Sequence, residues 1–531
     1  MKLKHCFTQG ILGLYAVCLG AFLQLDATAQ PVPPTRFTVK AFDVEGMKTL
    51  DRALAQDVLK DYLDRPLSFA ELEKAAQLVA ELYREHDYFT VTAYLPKQEL
   101  NDGQVTIKVV ESTLQDLKIE GNTRYSDEYL QWMLEPVKED VQDGLPRRSV
   151  LQRQLLLIND NMDLEARSIV QPGDSSDKVN LLIQADDDLP THLTLDYNNL
   201  GAVSTGRHRL GATFEWGNFT NRADVLTLRY VESGLLNANV DGLDLFTLAY
   251  RTPLNNQGTH LNFSYANSAF QVGRELQVLD IRGDADVFNL SVDHPIIRGT
   301  DANLYVNGGF VFQDIENSIL GTRLSRDRLR EIVVGVRGDW TSGRGRNYGG
   351  LRVTHDLGNF LGGLDSNDPF SSRQAGGGFT KLNLDLARVQ RFNEEFYAIL
   401  RGHHQAAFNS LPFAEQYGLG GINTVRGYDQ SVYLGDSGYN LNAELRWAPL
   451  DDHRDLLEFG VFLDHGGASL RRPFPGEISS TTLTGAGVGV HLRLPEETYI
   501  RAEVGFPLSD NEITDQNGRN PVPYLIFSKK F

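Results

Sequence analysis

Two short stretches carry the residue types most able to act together. Val425-Arg426-Gly427-Tyr428 lies inside a long polar segment, Phe408 to Tyr439. Phe462-Leu463-Asp464-His465-Gly466 lies in a run where Val461 and Leu463 alternate with Phe462 and Asp464. Strand periodicity puts Asp464 on the same face as Glu458 and Gly460. A loop arginine folded onto that face meets the carboxylate as a bidentate pair, and Gly427 and Gly466 permit close backbone approach. Such a pair holds a loop in place; it makes and breaks no bond. Taken alone, these residues favour a plainer reading, a solvated loop arginine and one aspartate among many.

Other candidates for chemistry fall away. Gly435-Asp436-Ser437-Gly438 resembles the surroundings of some serine nucleophiles but has no positioned histidine and aspartate. His403 and His404 are neighbours on a strand, so they point to opposite faces and do not share a metal. Arg282-Gly283-Asp284 is expected in an outer loop and Arg337-Gly338-Asp339 inside a strand. There is no phosphate-binding G-x-x-x-x-G-K-[ST] loop. No catalytic residue, metal site or cofactor is expected, and the chain is not expected to be an enzyme.

The elements that must position the arginine and the aspartate begin at Thr191. From there helical periodicity gives way to alternation. Leu193, Leu195 and Tyr197 alternate with Thr194 and Asp196; Leu382, Leu384 and Leu386 with Lys381, Asn383 and Asp385; Leu441, Ala443, Leu445 and Trp447 with Asn442, Glu444 and Arg446. A soluble sandwich shows the same alternation, so connection lengths decide. About sixteen strand segments are expected, an even number as in bacterial outer-membrane barrels. Short connections (Phe219–Ala223, Pro253–Gly258, Gln390–Glu395, Leu450–Asp455, Leu494–Glu497) alternate with long ones (Ala269–Ala285, Gln313–Leu329, Leu357–Gly377, Phe408–Tyr439, Ser509–Val522). That is a transmembrane β-barrel pattern. Leu525, Phe527 and Phe531 share one face of the last strand, with Phe531 as the barrel's C-terminal signature. Asp464 then faces the lumen, and its pair with Arg426 is expected to be wet and worth only about 0–1 kcal/mol.

Two small α/β units are expected ahead of the barrel. Strand 37–44, helices Leu54–Leu63 and Phe69–Glu85, and strands Phe89–Leu95 and Gln104–Val110 give the order β-α-α-β-β. The order repeats with strand Leu114–Glu120, helices Asp127–Leu134 and Ser149–Asn159, a short strand around Ile169, and strand Val179–Ile183. Units of this size hold small cores and suit docking better than catalysis; their short sheets leave edges open to a partner strand.

Before them, Lys2, Lys4, the apolar Ile11–Leu25 and Ala27-Thr28-Ala29 predict a cleaved secretory signal. Both cysteines, Cys6 and Cys18, fall within it, so disulfide, thiolate-metal and cysteine-nucleophile chemistry are not expected after export. No other segment reaches the ~18 apolar residues of a membrane helix. The formal charge of −19 speaks against a nucleic-acid partner. The expected domains are a signal peptide (1–29), a Pro-rich segment (30–36), two α/β domains (37–111 and 112–188) and the barrel (189–531).

In this order, the tandem units, the V-R-G-Y loop and the F-x-D-x-G strand resemble the two-partner secretion transporters, the TpsB class (hemolysin secretion/activation type) of the POTRA-plus-barrel superfamily. Leu95-Pro96-Lys97-Gln98-Glu99-Leu100 with Asp102-Gly103 is similar to the end of the family's first POTRA domain. Leu155-Leu156-Leu157-Ile158-Asn159-Asp160 is similar to its second POTRA helix, and Asp196, Asn199, Gly201, Thr205, Gly206 and Arg209 resemble its barrel entry. The resemblance covers almost all of 37–531. It implies a sixteen-stranded outer-membrane barrel with two periplasmic POTRA domains that capture an unfolded TpsA-like exoprotein, which then crosses the lumen. It also implies contact with outer-membrane lipid and insertion by the barrel-assembly machinery. Val425, Arg426, Gly427, Tyr428, Phe462, Asp464 and Gly466 become a loop lock, with Tyr428 packed beside it. A barrel-assembly factor and a general diffusion porin are the alternatives; the former usually carries more POTRA domains and the latter none. Many relatives plug the barrel with an N-terminal helix. Here about seven residues separate the expected cleavage site from the first strand, so closure is expected to fall to the inward loop.

Overall fold

The computed structural model describes residues 36–99, 102–142, 144–236, 242–513 and 518–531. The expected signal peptide, its cysteines, Leu100 and nearly all of the Pro-rich segment lie outside them. The chain divides into one unit of residues 1–82 with 92–109 and another of 83–91 with 110–531.

In the first unit, Ala41–Glu45 runs parallel to Gln104–Glu111, which also pairs with Val91–Tyr94. Helix Phe69–Glu85 starts where the sequence supplies a capping box: the Ser68 N–H donates to Glu71 at 2.8 Å and the Glu71 N–H to Ser68 Oγ at 3.4 Å. The expected strand 37–44 is broken into Arg36–Thr38 and Ala41–Glu45. Gln98 acts as a surrogate strand residue, donating to Thr106 O at 2.8 Å and accepting from Thr106 N at 2.7 Å. Val39, Leu67, Leu72 and Val105 form a buried cluster.

The second unit opens with the other α/β fold. Thr113–Glu120 lies parallel to Lys178–Asp187, which pairs with Leu164–Pro172. Helices Asp127–Met133, Glu135–Gln142 and Arg148–Ile158 accompany this sheet. The helix Glu135–Gln142 was not expected from the sequence. Its Pro136 sits in the first turn, where a missing N–H costs nothing. The strand expected around Ile169 is nine residues long.

Sixteen antiparallel strands, from Thr191–Asn198 to Val522–Lys530, close into a barrel. Apolar side chains such as Leu386, Leu441 and Leu463 point outward and are exposed, while Asp385, Asn442 and Asp464 alternate with them along the same strands. No described helix is long and apolar enough to cross a membrane. The short connections gather at the end that carries the α/β fold. There Arg298 pairs with Asp160 at 2.5 Å, Arg153 donates to Gln257 O at 3.1 Å, and Asn218 donates to Arg124 O at 2.9 Å.

Two expected long loops are corrected. Gln313–Leu329 is mostly strand: Ala302–Ile319 and Thr322–Ser342 are joined by Leu320-Gly321 alone. Both turn residues have positive φ, 51° and 72°, the twist a two-residue hairpin needs. Ala269–Ala285 shrinks because strands reach Gln271 and restart at Arg282. Arg282-Gly283-Asp284 is therefore in a strand, as is Arg337-Gly338-Asp339. Polar residues facing water on both sides of a wall that rises above the lipid conceal a strand from a hydrophobicity reading.

Strand length is uneven. The first three barrel strands have 8, 9 and 8 residues. Arg282–Arg298, Ala302–Ile319 and Thr322–Ser342 have 17, 18 and 21. The ladder that closes the barrel joins Thr194–Asn198 to Ile526–Lys530 over five residue pairs. Asn199 extends it, donating to Pro523 O at 3.0 Å and accepting from Leu525 N at 2.7 Å. Phe531 adds a backbone bond to Leu193 O at 2.9 Å, with its ring exposed.

Candidate functional site

The segment between strands Phe396–Ala407 and Ser437–Trp447 is a folded hairpin. Tyr417–Leu419 pairs with Tyr433–Gly435, and residues 420–432 extend beyond that pair. Val425 is fully buried in a cluster with Leu419, Tyr428, Tyr433 and Leu483. This apolar packing fixes the loop backbone before any charge is considered.

Arg426 meets Asp464 as the residue types suggested. Its Nε lies 2.7 Å from Oδ2 and its Nη2 2.9 Å from Oδ1, a two-pronged contact. The Arg426 backbone N–H also donates to Oδ2, at 3.1 Å. Two further carboxylates complete the site. Nη1 lies 3.1 Å from Glu444 Oε2 and 3.3 Å from Glu503 Oε2. The guanidinium carbon sits 3.4 Å from the centre of the Phe462 ring, so a cation–π contact covers its face.

The expectation of a wet pair is overturned. Arg426 is 2% exposed and Asp464 0%. The loop itself fills this part of the lumen and excludes water, so the pair belongs to the regime of buried ion pairs.

Behind it stands a second tier. Arg446 donates to Glu444 at 2.6 Å and to Glu458 at 2.8 Å; Tyr397 donates to Glu458 at 2.8 Å. Arg501 holds Glu503 at 2.8 Å, and His491 Nε2 lies 3.2 Å from the same carboxylate. Donor atoms of Glu444, His491 and Glu503 lie within 4.8 Å of one another, close enough for a metal ion. Guanidinium groups already engage both carboxylates, so the donor set does not fit a cation. Of these second-tier residues only Glu458 was placed from sequence, on the face of Asp464. The signal was present: Glu444 and Arg446 lie on the polar face of a strand whose alternation was plain.

Gly427 has φ 102°, and a Cβ there would stand 2.7 Å from Phe506 C. A side chain at Gly466 would stand 2.7 Å from Tyr439 O and 3.1 Å from Val425 Cγ2. Gly485 was missed, yet a Cβ there would overlap Arg426 O. Tyr428 donates to Thr484 O at 2.9 Å and accepts from Ser509 N at 3.0 Å. Tyr524 receives the Gly427 N–H at 2.9 Å and donates to Tyr428 O at 2.8 Å. Arg207 pairs with Asp429 at 2.6 Å.

The remaining motifs have structural roles. Asp436 is buried and accepts from Leu411 N at 2.8 Å and Arg471 N at 2.7 Å, tying loops together. His403 bonds Asp385 at 2.6 Å, on the face opposite to that of His404. Beside the lock, a cavity of about 950 Å³ lies between Asn423 and Thr424 of the inward loop and strand residues that include Asn307, Arg337, Arg352 and Asp385.

A closed sixteen-stranded barrel, a preceding POTRA-type α/β region and an arginine-anchored inward loop define an outer-membrane transporter of the POTRA-plus-barrel kind. The chain belongs to the haemolysin secretion/activation protein family ShlB/FhaC/HecB, whose profile matches residues 177–492, and an ShlB-type POTRA domain matches 37–112. Members of this family are outer-membrane transporters that secrete partner proteins by two-partner secretion. The heme/hemopexin transporter protein HuxB of Haemophilus influenzae is 22% identical over 484 residues, covering 89% of this chain and 83% of HuxB. The outer membrane transporter CdiB of Escherichia coli is 21% identical over 477 residues, covering 86% of this chain and 76% of its own. The solved structure of CdiB from Escherichia coli superposes with a TM-score of 0.72 at 20% identity, covering 95% of this chain and 92% of that one.

Proposed function

We propose that residues 37–111 and 112–188 form two periplasmic POTRA domains that capture an unfolded exoprotein, and that the barrel of residues 189–531 passes it outward through its lumen. In this reading the long-loop end of the barrel faces the cell exterior, its apolar belt contacts outer-membrane lipid, and the barrel-assembly machinery inserts it after signal cleavage. The chain moves its partner and breaks no bond in it. Val425, Arg426, Gly427 and Tyr428 lock the inward loop to Phe462, Asp464 and Gly466. The observation that carries the reading is the fully buried Arg426 held by carboxylates from three strands inside a barrel that follows POTRA-type folds. An isolated porin has no use for such folds.

The test is secretion. The chain is co-expressed with each large exported protein encoded near it, and the medium is assayed with and without the chain. One protein that reaches the medium only when the chain is present supports the proposal. Loss of many barrel proteins on depletion, with no dependent exoprotein, overturns it in favour of barrel assembly.

A further inference from the structure

The outer wall of the tallest strands carries an ordered charge pattern that the lumen mechanism does not use. Register sets it out in rows. Phe288, Phe312 and Arg330 are neighbours across strands Arg282–Arg298, Ala302–Ile319 and Thr322–Ser342. One step towards the loop end stand Asp286, Asp314 and Arg328; one step further stand Asp284, Glu316 and Arg326. Below these rows the same face is apolar and exposed: Phe310 (45%), Val334 (57%), Val336 and Trp340 (48%). The rings of Phe263, Phe288 and Phe312 form an edge-to-face row with centroids 4.9 and 6.2 Å apart. The aromatic row therefore closes the apolar belt, and the arginine column begins where the belt ends.

The arginines are not equally occupied. Arg330 is saturated, held by Asp314 at 2.8 Å and by the carbonyls of Gln313 and Leu329. Glu316 is taken by Arg323 at 2.9 Å, leaving Arg326 at 4.0 Å. Arg328 has no ion-pair partner among the described residues, and its Nε is buried without an acceptor. The carboxylate of Asp286 is occupied by Tyr265 and Asn267. Asp284 and Asp286 stand two strands from the arginines, about 10 Å away. The hairpin thus holds four arginines against two carboxylates, with the surplus at Arg326 and Arg328. Beside them loop 357–364 bonds the strand edge through Leu364 N to Arg328 O at 2.9 Å and leaves Phe360 and Leu361 exposed.

An apolar wall topped by a surplus of guanidinium groups, Arg328 without an ion-pair partner among the described residues and Arg326 only 4.0 Å from a carboxylate that Arg323 already holds, matches an amphiphile with acyl chains below and an anionic head above. We propose that Arg326 and Arg328 bind the phosphate of a phosphorylated saccharolipid in the outer leaflet, with its acyl chains along Phe310, Val334 and Val336 and beside Phe360 and Leu361. The proposal rests on the outward orientation given above, yet its test needs no secretion, so either can fail alone. Phosphate is favoured because guanidinium binds it through paired N–H donors.

The full chain, purified in detergent and stripped of lipid, is titrated with bis-phosphorylated lipid A and with dephosphorylated lipid A, and bound lipid is counted by native mass spectrometry. The expected result is that the phosphorylated form binds about tenfold more tightly, as the loss of one charge-assisted hydrogen bond implies. The double variant Arg326→Gln/Arg328→Gln should lose that preference, whereas Arg344→Gln, at the opposite barrel end, should keep it. Equal binding of the two lipids by the parent chain overturns the proposal even if the double variant does not fold. So does an unchanged preference in a folded double variant.

Discussion

The two walls of the barrel treat charge in opposite ways. On the wall built from Ser437–Trp447, Leu457–Ser469, Ser480–Leu494 and Thr498–Pro507, charged groups are buried and cross-paired beneath the inward loop. On the facing wall, Arg337 and Arg352 line an open cavity and have no ion-pair partner among the described residues. Small residues explain where the loop can settle: a Cβ at Gly485 would overlap Arg426 O, and one at Gly505 would stand 2.4 Å from Gly427 N. The contrast teaches that the lock fills one side of the lumen and leaves the other to water. A pair that looks like any luminal pair in sequence acquires its strength from the loop that covers it.

The largest test of that contrast is Arg426→Ala. Removing the cation leaves Asp464, Glu444 and Glu503 buried without their shared partner, a loss of about 3–5 kcal/mol. The unfolding midpoint followed by heat-shifted gel migration should fall, and secretion should fail. An unchanged midpoint would return the pair to the wet, weak class.

Gly427→Ala probes the same wall through the backbone. A positive φ and a 2.7 Å approach to Phe506 cost about 1–3 kcal/mol. Limited proteolysis should then cut within 420–432, where the parent chain is expected to resist. Persistent resistance would show that apolar packing alone seats the loop.

On the facing wall the mirror experiment should do little to stability. Arg337→Gln and Arg352→Gln are expected to stay within about 0.5 kcal/mol of the parent, while planar-bilayer reversal potentials shift towards cations as luminal positive charge is removed. A large loss of stability would erase the distinction between the walls.

The smallest effect lies outside the barrel. Burial would raise the Asp187 carboxyl, but hydrogen bonds from Thr123, Tyr125 and Arg124 hold it below its ordinary value. A depressed folded value gives stability that is present above the ordinary carboxylate range and is lost as pH falls through the folded value. Asp187→Asn should therefore flatten the acid side of the unfolding profile of the α/β fold, read by hydrogen exchange at Thr123–Tyr125. An acid limb identical to the parent's would place the acid sensitivity elsewhere.

Most of the architecture was legible because lipid imposes strict alternation, as at Leu382, Leu384 and Leu386, and because turn chemistry marks the short connections. Asp464 was legible for the same reason: its neighbours Val461 and Leu463 fix which way it points. Burial was not legible, because it depends on where a loop distant in sequence lands. Glu444 therefore looked like an ordinary polar-face residue, and nothing in the sequence marked Glu503 or Gly485 as part of the site. The tall hairpin around Leu320-Gly321 was hidden for another reason: Asp314, Glu316, Arg326 and Arg328 give its outer face the composition of a loop.

The unequal strand lengths have a consequence for the surrounding bilayer. A membrane strand tilted near 45° needs about 9–11 residues to cross the hydrocarbon. The first three barrel strands, beginning with the one in the closing ladder, have 8, 9 and 8, whereas those on the far side have up to 21. Lipid beside the short strands must thin or tilt to keep their ends wet, at a cost of fractions of a kcal/mol for each ångström of mismatch. The protein is thus expected to impose a lopsided dent in its host leaflet, shallowest around the tall hairpin and deepest next to the five-pair closure.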